Sequence, residues 1–166
     1  MKKIIPYPWL TNSAVRFLET HLNDESVVLE FGMGGSTIWL ADRVKELTSV
    51  EHSCRWYRAT RRAITRPFMP VQHPRPYASV CDILGKDSFD LVLVDGRDRV
   101  ECVLAAMPLL KTGGVMMLDD AGRRRYRKAH DAMKTWDYVA TKQRQPSPPH
   151  NDVLRTDWWF KPRQDT

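Results

Sequence analysis

A chain of 166 residues with 42% hydrophobic content can bury a real core and fits one domain over residues 1–166, with little left over for a separate substrate domain. No apolar run approaches the roughly 18 to 20 residues that cross a bilayer, and the proline-broken start MKKIIPYPWL carries no export-type core, so the expected setting is cytoplasmic, without a membrane partner. The three cysteines have no metal-site spacing, and the net charge of +6 admits a polyanionic partner only if the basic runs at 55–62 and 122–128 are more than solvated helix faces, their commoner use.

In chain order, residues 10–13 offer N-cap side chains for a first helix that carries Ala14, Phe17, Leu18 and Leu22 on one face. Residues 27–31, VVLEF, form a short, nearly continuous apolar run, the pattern of a parallel strand buried on both faces. Glycines follow, and a helix starts where they end, near Ser36 and Thr37. Residues 46–51 read as the next strand, and Ser53 caps a helix with Arg55, Arg58 and Arg62 opposite Trp56, Ala59 and Ala63. Four prolines between 67 and 76 leave room only for a short edge strand near 68–72. A brief helix over 77–84 precedes the strand FDLVLVD at 89–95, a helix over 99–110, a turn at Gly113 and Gly114, and the strand at 115–118.

A helix marked by Tyr126, Ala129, Met133 and Trp136 is then followed by extended segments at 138–144 and 156–161, joined by the loop QPSPPHND. Strands alternating with helices predict an α/β fold: one doubly wound, mostly parallel sheet of seven strands with a C-terminal antiparallel hairpin. Trp158, Trp159 and Phe160 on the last strand either pack the core, the expected role, or wall a cleft.

Ligands of such sheets bind beyond the carboxyl ends of the strands, where this chain places Glu30-Phe31-Gly32-Met33-Gly34-Gly35-Ser36-Thr37. A dinucleotide fingerprint needs a glycine where Thr37 stands, and no Gly-Lys-Ser/Thr follows for a nucleoside triphosphate. Glu30, just ahead of the glycines, would repel a phosphate but could orient the loop or an ammonium group. Glu51 ends the next strand, about 20 residues on, at the spacing of a ribose-binding acid. A nucleoside joined to an amino acid, without phosphate, describes S-adenosylmethionine.

Four segments in order, LEFGMGGST, SVEH at 49–52, FDLVLVDGRDR at 89–99 and LLKTGGVMMLDD at 109–120, resemble the class I S-adenosylmethionine-dependent methyltransferases. Among these they are most similar to a small Rossmann-like group distantly related to catechol O-methyltransferase. The resemblance spans about residues 8–161. It implies that Glu30, Gly32, Gly34, Ser36 and Thr37 line the methionine end of the cofactor, that Glu51 holds the ribose, and that His52 and the turn at 74–77, with Tyr77, lie near the adenine. Asp95 would close over the methionine ammonium or position the acceptor.

Asp95, Asp119 and Asp120 end two core strands on the same sheet edge as the glycine loop and should converge there as the residues of the chemistry. Metal-dependent relatives bind magnesium through acids at these positions, where an oxygen-loving ion acidifies a substrate hydroxyl. This chain has Asp-Asp for their Asp-Asn and lacks their cap segments, and the same acids could instead cap helices. Arg97 and Arg99 could guide an acidic substrate or pair with Asp95, Asp98 or Glu101 at the surface. The resemblance implies a small-molecule acceptor with oxygen as the methylated atom. A nucleic-acid acceptor, reached through Arg123, Arg124 and Arg125, and a cofactor-binding module without turnover are the competing readings.

Overall fold

The computed structural model describes residues 4–73, 76–144 and 153–163. The strands are β1 (Val27–Phe31), β2 (Glu46–Glu51), β3 (Met69–Gln72), β4 (Phe89–Val94), β5 (Leu110–Asp119), β6 (Asp137–Arg144) and β7 (Val153–Phe160). The helices are α1 (Asn12–His21), α2 (Gly35–Ala41), α3 (Cys54–Ala63), α4 (Arg99–Ala106) and α5 (Arg127–Ala132), with 3-10 turns at Tyr77–Ile83, Met107–Leu109 and Arg124–Tyr126. One seven-stranded sheet runs in the order β3-β2-β1-β4-β5-β7-β6. β3, β2, β1, β4 and β5 are parallel, and β7 is antiparallel to both of its neighbours. This is the expected doubly wound, mostly parallel sheet of seven strands with its C-terminal antiparallel hairpin. Among the described residues no helix is long and apolar enough to cross a membrane.

The apolar runs are continuous because each central strand feeds two cores. Successive side chains of a strand point to opposite faces. Leu29, Phe31, Val92, Val94, Met116 and Leu118 pack on one side, with α4 and α5. Val28, Leu91, Leu93, Val115 and Met117 pack on the other, with α1 and α2. Trp158 and Trp159 divide in the same way, one to each core, and neither walls a cleft. Thr11 caps α1 by accepting the Ala14 amide at 3.3 Å.

Several expected boundaries shift. Gly113 and Gly114 lie inside β5 rather than in a turn before it, where the pairing with β4 slips between Phe89 and Leu91. The helix after β5 shrinks to a 3-10 turn and the six residues of α5. On α3 the buried residue is Thr60, while Ala63 is exposed and Trp56 is 45% exposed, so the predicted apolar stripe does not face the sheet. Cys81 and Cys102 are packing residues but Cys54 is exposed. The loop QPSPPHND lies outside the described residues, as do Pro74 and Arg75 of the expected adenine turn.

Candidate cofactor and acceptor cleft

The chain order reverses between β1 and β4, the switch point at which a crevice opens beyond the strand ends. Two backbone crossings shape it. Gly32 follows β1 at φ +104°, and a Cβ there would meet the Gly96 nitrogen at 2.8 Å. Gly96 follows β4, and a Cβ on it would meet the Tyr77 ring at 2.5 Å. The amides knit the crossing together: Gly32 donates to the Val50 carbonyl at 2.8 Å and Asp95 to the Phe31 carbonyl at 2.9 Å. Gly34 differs, since a Cβ there would meet no protein atom within 4 Å. Its bare backbone faces the cleft.

Glu30 braces this loop from behind. Its side chain is 0% exposed and accepts hydroxyl hydrogen bonds from Ser36 at 2.5 Å, Thr37 at 2.6 Å and Ser49 at 2.8 Å. Thr37 in turn accepts the Gly34 amide at 2.8 Å. Burial raises the Glu30 carboxyl to about 7, with the three hydroxyls holding it down. The expectation that Glu30 and Thr37 line the methionine end is corrected: both are fully buried, turned towards each other beneath the loop. Gly32, Gly34 and Ser36 do line the cleft.

Glu51 ends β2 with its carboxylate already engaged. Oε2 accepts the Met33 amide at 3.0 Å, and Oε1 accepts the Ser53 amide at 2.7 Å and the Tyr77 hydroxyl at 3.2 Å. His52 Nδ1 lies 2.8 Å from Oε1 and touches the Tyr77 hydroxyl as well. A carboxylate has about four acceptor positions, so Oε2 keeps one free. Tyr77 is wholly buried, and burial pushes its phenol well above the ordinary range. It fastens His52 and Glu51 together, while His52 stands exposed at the lip of the cleft.

The acids expected at the far strand ends do converge, and a cation stands among them. Arg99 Nη2 donates to Asp95 Oδ1 at 2.8 Å, and its Nη1 lies 3.5 Å from both Asp119 Oδ2 and Asp120 Oδ2. The Thr156 hydroxyl donates to Asp119 at 3.0 Å. Burial raises the Asp95 and Asp119 carboxyls above the usual range, against the pull of Arg99. The surface pairing expected for Arg99 is therefore corrected, because its side chain is only 11% exposed. The magnesium ligand set expected of Asp95, Asp119 and Asp120 does not fit either. A guanidinium fills their centre, and among the described residues no group of three acid, His or Cys side chains is arranged to hold a metal ion.

The cleft measures about 1500 Å³. Its lining includes apolar side chains that patterns did not reveal, Ile5, Tyr7, Trp9 and Trp56, and the basic Arg123 and Arg125. The segment before α1 reaches the cleft by crossing α2, where a Cβ on Gly35 would collide with the carbonyl oxygens of Ile5 and Tyr7.

A methyltransferase-domain family profile matches residues 29–121, from inside β1 through the acid pair. The chain belongs to the S-adenosylmethionine-dependent methyltransferases. No curated protein matches it in sequence. Among solved structures, this methyltransferase is similar to an rRNA methylase from Streptococcus thermophilus at 15% identity, with a TM-score of 0.72 and 91% and 95% of the two chains covered. A Streptococcus mutans protein in complex with S-adenosylhomocysteine matches at 11% identity and a TM-score of 0.68, covering 93% of this chain and 99% of that one. A SAM-dependent O-methyltransferase from Thermotoga maritima matches at 10% identity and a TM-score of 0.71, covering all of this chain and 70% of the other. Likeness at these identities is one of fold.

Proposed function

We propose that this methyltransferase transfers a methyl group from S-adenosylmethionine to a hydroxyl of a small molecule bound beside the cofactor in the cleft. The observation that carries the reading is the braced glycine loop, whose bare Gly34 backbone faces a cleft that Glu51 also borders. Gly32, Gly34 and Ser36 would hold the amino-acid end, Glu51 the ribose through the free position of Oε2, and His52 would lie beside the base. The cofactor supplies a methyl group on a positively charged sulfur. Glu30 and Thr37 fix the loop without touching it. A cleft of about 1500 Å³ exceeds the roughly 300–1,000 Å³ that suits one drug-sized ligand, which leaves room for an acceptor alongside.

Methyl transfer draws mainly on holding the nucleophile in line. An oxygen acceptor must also lose a proton, and Asp95, on the cleft wall with its Oδ1 held by Arg99, is placed to accept it. Acceptors with an anionic group have Arg97 and Arg125 within the same cleft.

A second reading, an RNA acceptor, is favoured by one observation. Arg55, Arg58, Arg61 and Arg62 are exposed and enter no ion pair among the described residues, and their helix carries Trp56, which lines the same cleft as Arg123 and Arg125. Incubation with S-adenosylmethionine and a panel of hydroxylated small molecules and RNA oligonucleotides, read as S-adenosylhomocysteine release, separates the cases. Release with small molecules supports the main reading. Release with RNA, in a salt-sensitive manner, supports the second. Cofactor binding without release on any acceptor identifies a silent module, and absence of cofactor binding by calorimetry refutes the assignment of the cleft.

A further inference from the structure

Arg99 is the first residue of α4, where a cation opposes the helix dipole. Its placement there is answered by oxygen on every side. Nε donates to the Gly96 carbonyl at 2.9 Å, Nη2 to the Asp95 carbonyl at 3.1 Å and to Asp95 Oδ1 at 2.8 Å, and Nη1 to the Asp119 carbonyl at 2.5 Å. The same Nη1 lies 3.5 Å from carboxylate oxygens of Asp119 and Asp120. The guanidinium thus gathers the ends of β4 and β5 around itself, and Arg123 occupies Asp120 from outside at 2.5 Å.

A hard divalent ion needs several of these carboxylate oxygens at about 2.0–2.6 Å. A guanidinium does not give up its proton in a protein, so it competes for those oxygens at every working pH. The planar fork also fixes direction: binding Asp95 through both its carbonyl and Oδ1 sets the side chain that borders the cleft, as a bound metal would.

We propose that Arg99 is a resident cation in the position that magnesium holds in metal-dependent methyltransferases of this fold, so that the acid cluster excludes divalent metal and Arg99 acts as the positioning residue for Asp95. The exclusion of metal stands on geometry alone; the positioning role rests on the cofactor-and-acceptor reading of the cleft.

Manganese serves as the probe, followed through the electron paramagnetic resonance signal of the free ion. The wild-type chain is expected to leave the signal unchanged at equimolar and tenfold manganese. Arg99→Gln, which keeps much of the side chain and removes its charge, is expected to take up one ion per chain, and the further change Asp119→Asn to abolish that uptake. Stoichiometric uptake by the wild type that Asp95→Asn or Asp120→Asn removes would overturn the proposal, as would a folded Arg99→Gln chain that takes up no ion. Should Arg99→Gln fail to fold, Arg99→Met takes its place, and the wild-type titration still decides whether metal is excluded.

Calorimetry with S-adenosylhomocysteine, run with EDTA and with magnesium, keeps the two readings apart. Equal binding in both is expected. No binding in either refutes the cofactor assignment and leaves the manganese result standing. For positioning, S-adenosylhomocysteine release is expected to be insensitive to EDTA, and Arg99→Gln to lower kcat at least tenfold with KM for S-adenosylmethionine within threefold. A loss confined to KM would overturn the positioning role.

Discussion

Thr37 donates its hydroxyl proton to Glu30 across 2.6 Å, with both side chains shut away from solvent. The same hydroxyl receives the Gly34 amide at 2.8 Å. The state of one buried carboxyl is thereby transmitted to the backbone that faces the cleft.

Stability should register that carboxyl. Its folded pKa, about 7, lies above the ordinary value of 4.5, so between those values the folded chain binds more protons than the unfolded one. Stability contributed at low pH is then lost as pH rises towards 7, by about 3 kcal/mol at most on the scale of about 1.4 kcal/mol per unit. Melting temperatures of wild type and Glu30→Gln, followed from pH 4.5 to 8, should converge in slope only above pH 7. Parallel curves throughout would contradict the burial argument. Asp95 and Asp119 shift in the same direction, and the difference between the two proteins isolates Glu30.

Gly34 and Gly96 should separate binding from folding. Gly34→Ala adds a methyl group where no protein atom lies within 4 Å, so its melting temperature should stay within about a degree of wild type while calorimetric affinity for S-adenosylhomocysteine falls. Gly96→Ala drives a methyl group into the Tyr77 ring and should cost about 1–3 kcal/mol in chemical denaturation, as overpacking does. Reversed effects would move the cofactor away from Gly34.

Glu51→Ala removes the acceptor for the Met33 and Ser53 amides and for the Tyr77 hydroxyl. Affinity for S-adenosylhomocysteine should drop at least tenfold, about 1.4 kcal/mol, and unfolding should become easier by about 1–3 kcal/mol. Unchanged affinity in a folded variant would exclude Glu51 as the ribose acid.

Asp95→Asn should reduce turnover on a hydroxylated acceptor by about 100-fold or more, the usual weight of a positioned base. Binding of S-adenosylhomocysteine should stay within threefold. Loss of both together would make Asp95 a cofactor ligand instead.

Buried strands announce themselves in sequence because they are apolar on both faces: β1 and β4 start where the runs of Val, Leu and Phe start. Glu30 and Glu51 were legible as strand-end acids for the same reason, and so was the convergence of Asp95 with Asp119. What fills that convergence was hidden. Arg99 reads as one more charge on a helix surface, and only the packing of α4 against β4 and β5 turns it inward. Gly113 and Gly114 looked like a turn because local pattern cannot register the slip in pairing with β4 that keeps them in the strand. Trp56 suggested a core face by helical spacing, yet α3 touches the sheet through Thr60. Ile5 and Tyr7 carry no periodic signal, since their place over α2 is a contact between segments that no local pattern links.

β7 lies between β5 and β6 although it follows both in the chain. During vectorial synthesis the parallel strands up to β5 can dock as they emerge, but β6 has no strand to pair with until β7 has been made. Thr156, which satisfies Asp119, arrives with that strand. The glycine loop and Glu51 can therefore mature on the nascent chain, whereas the acid cluster reaches its final hydrogen bonding only when the late strand slides in. Defects in β7 should leave the glycine loop and Glu51 in place and the acid cluster without its Thr156 partner.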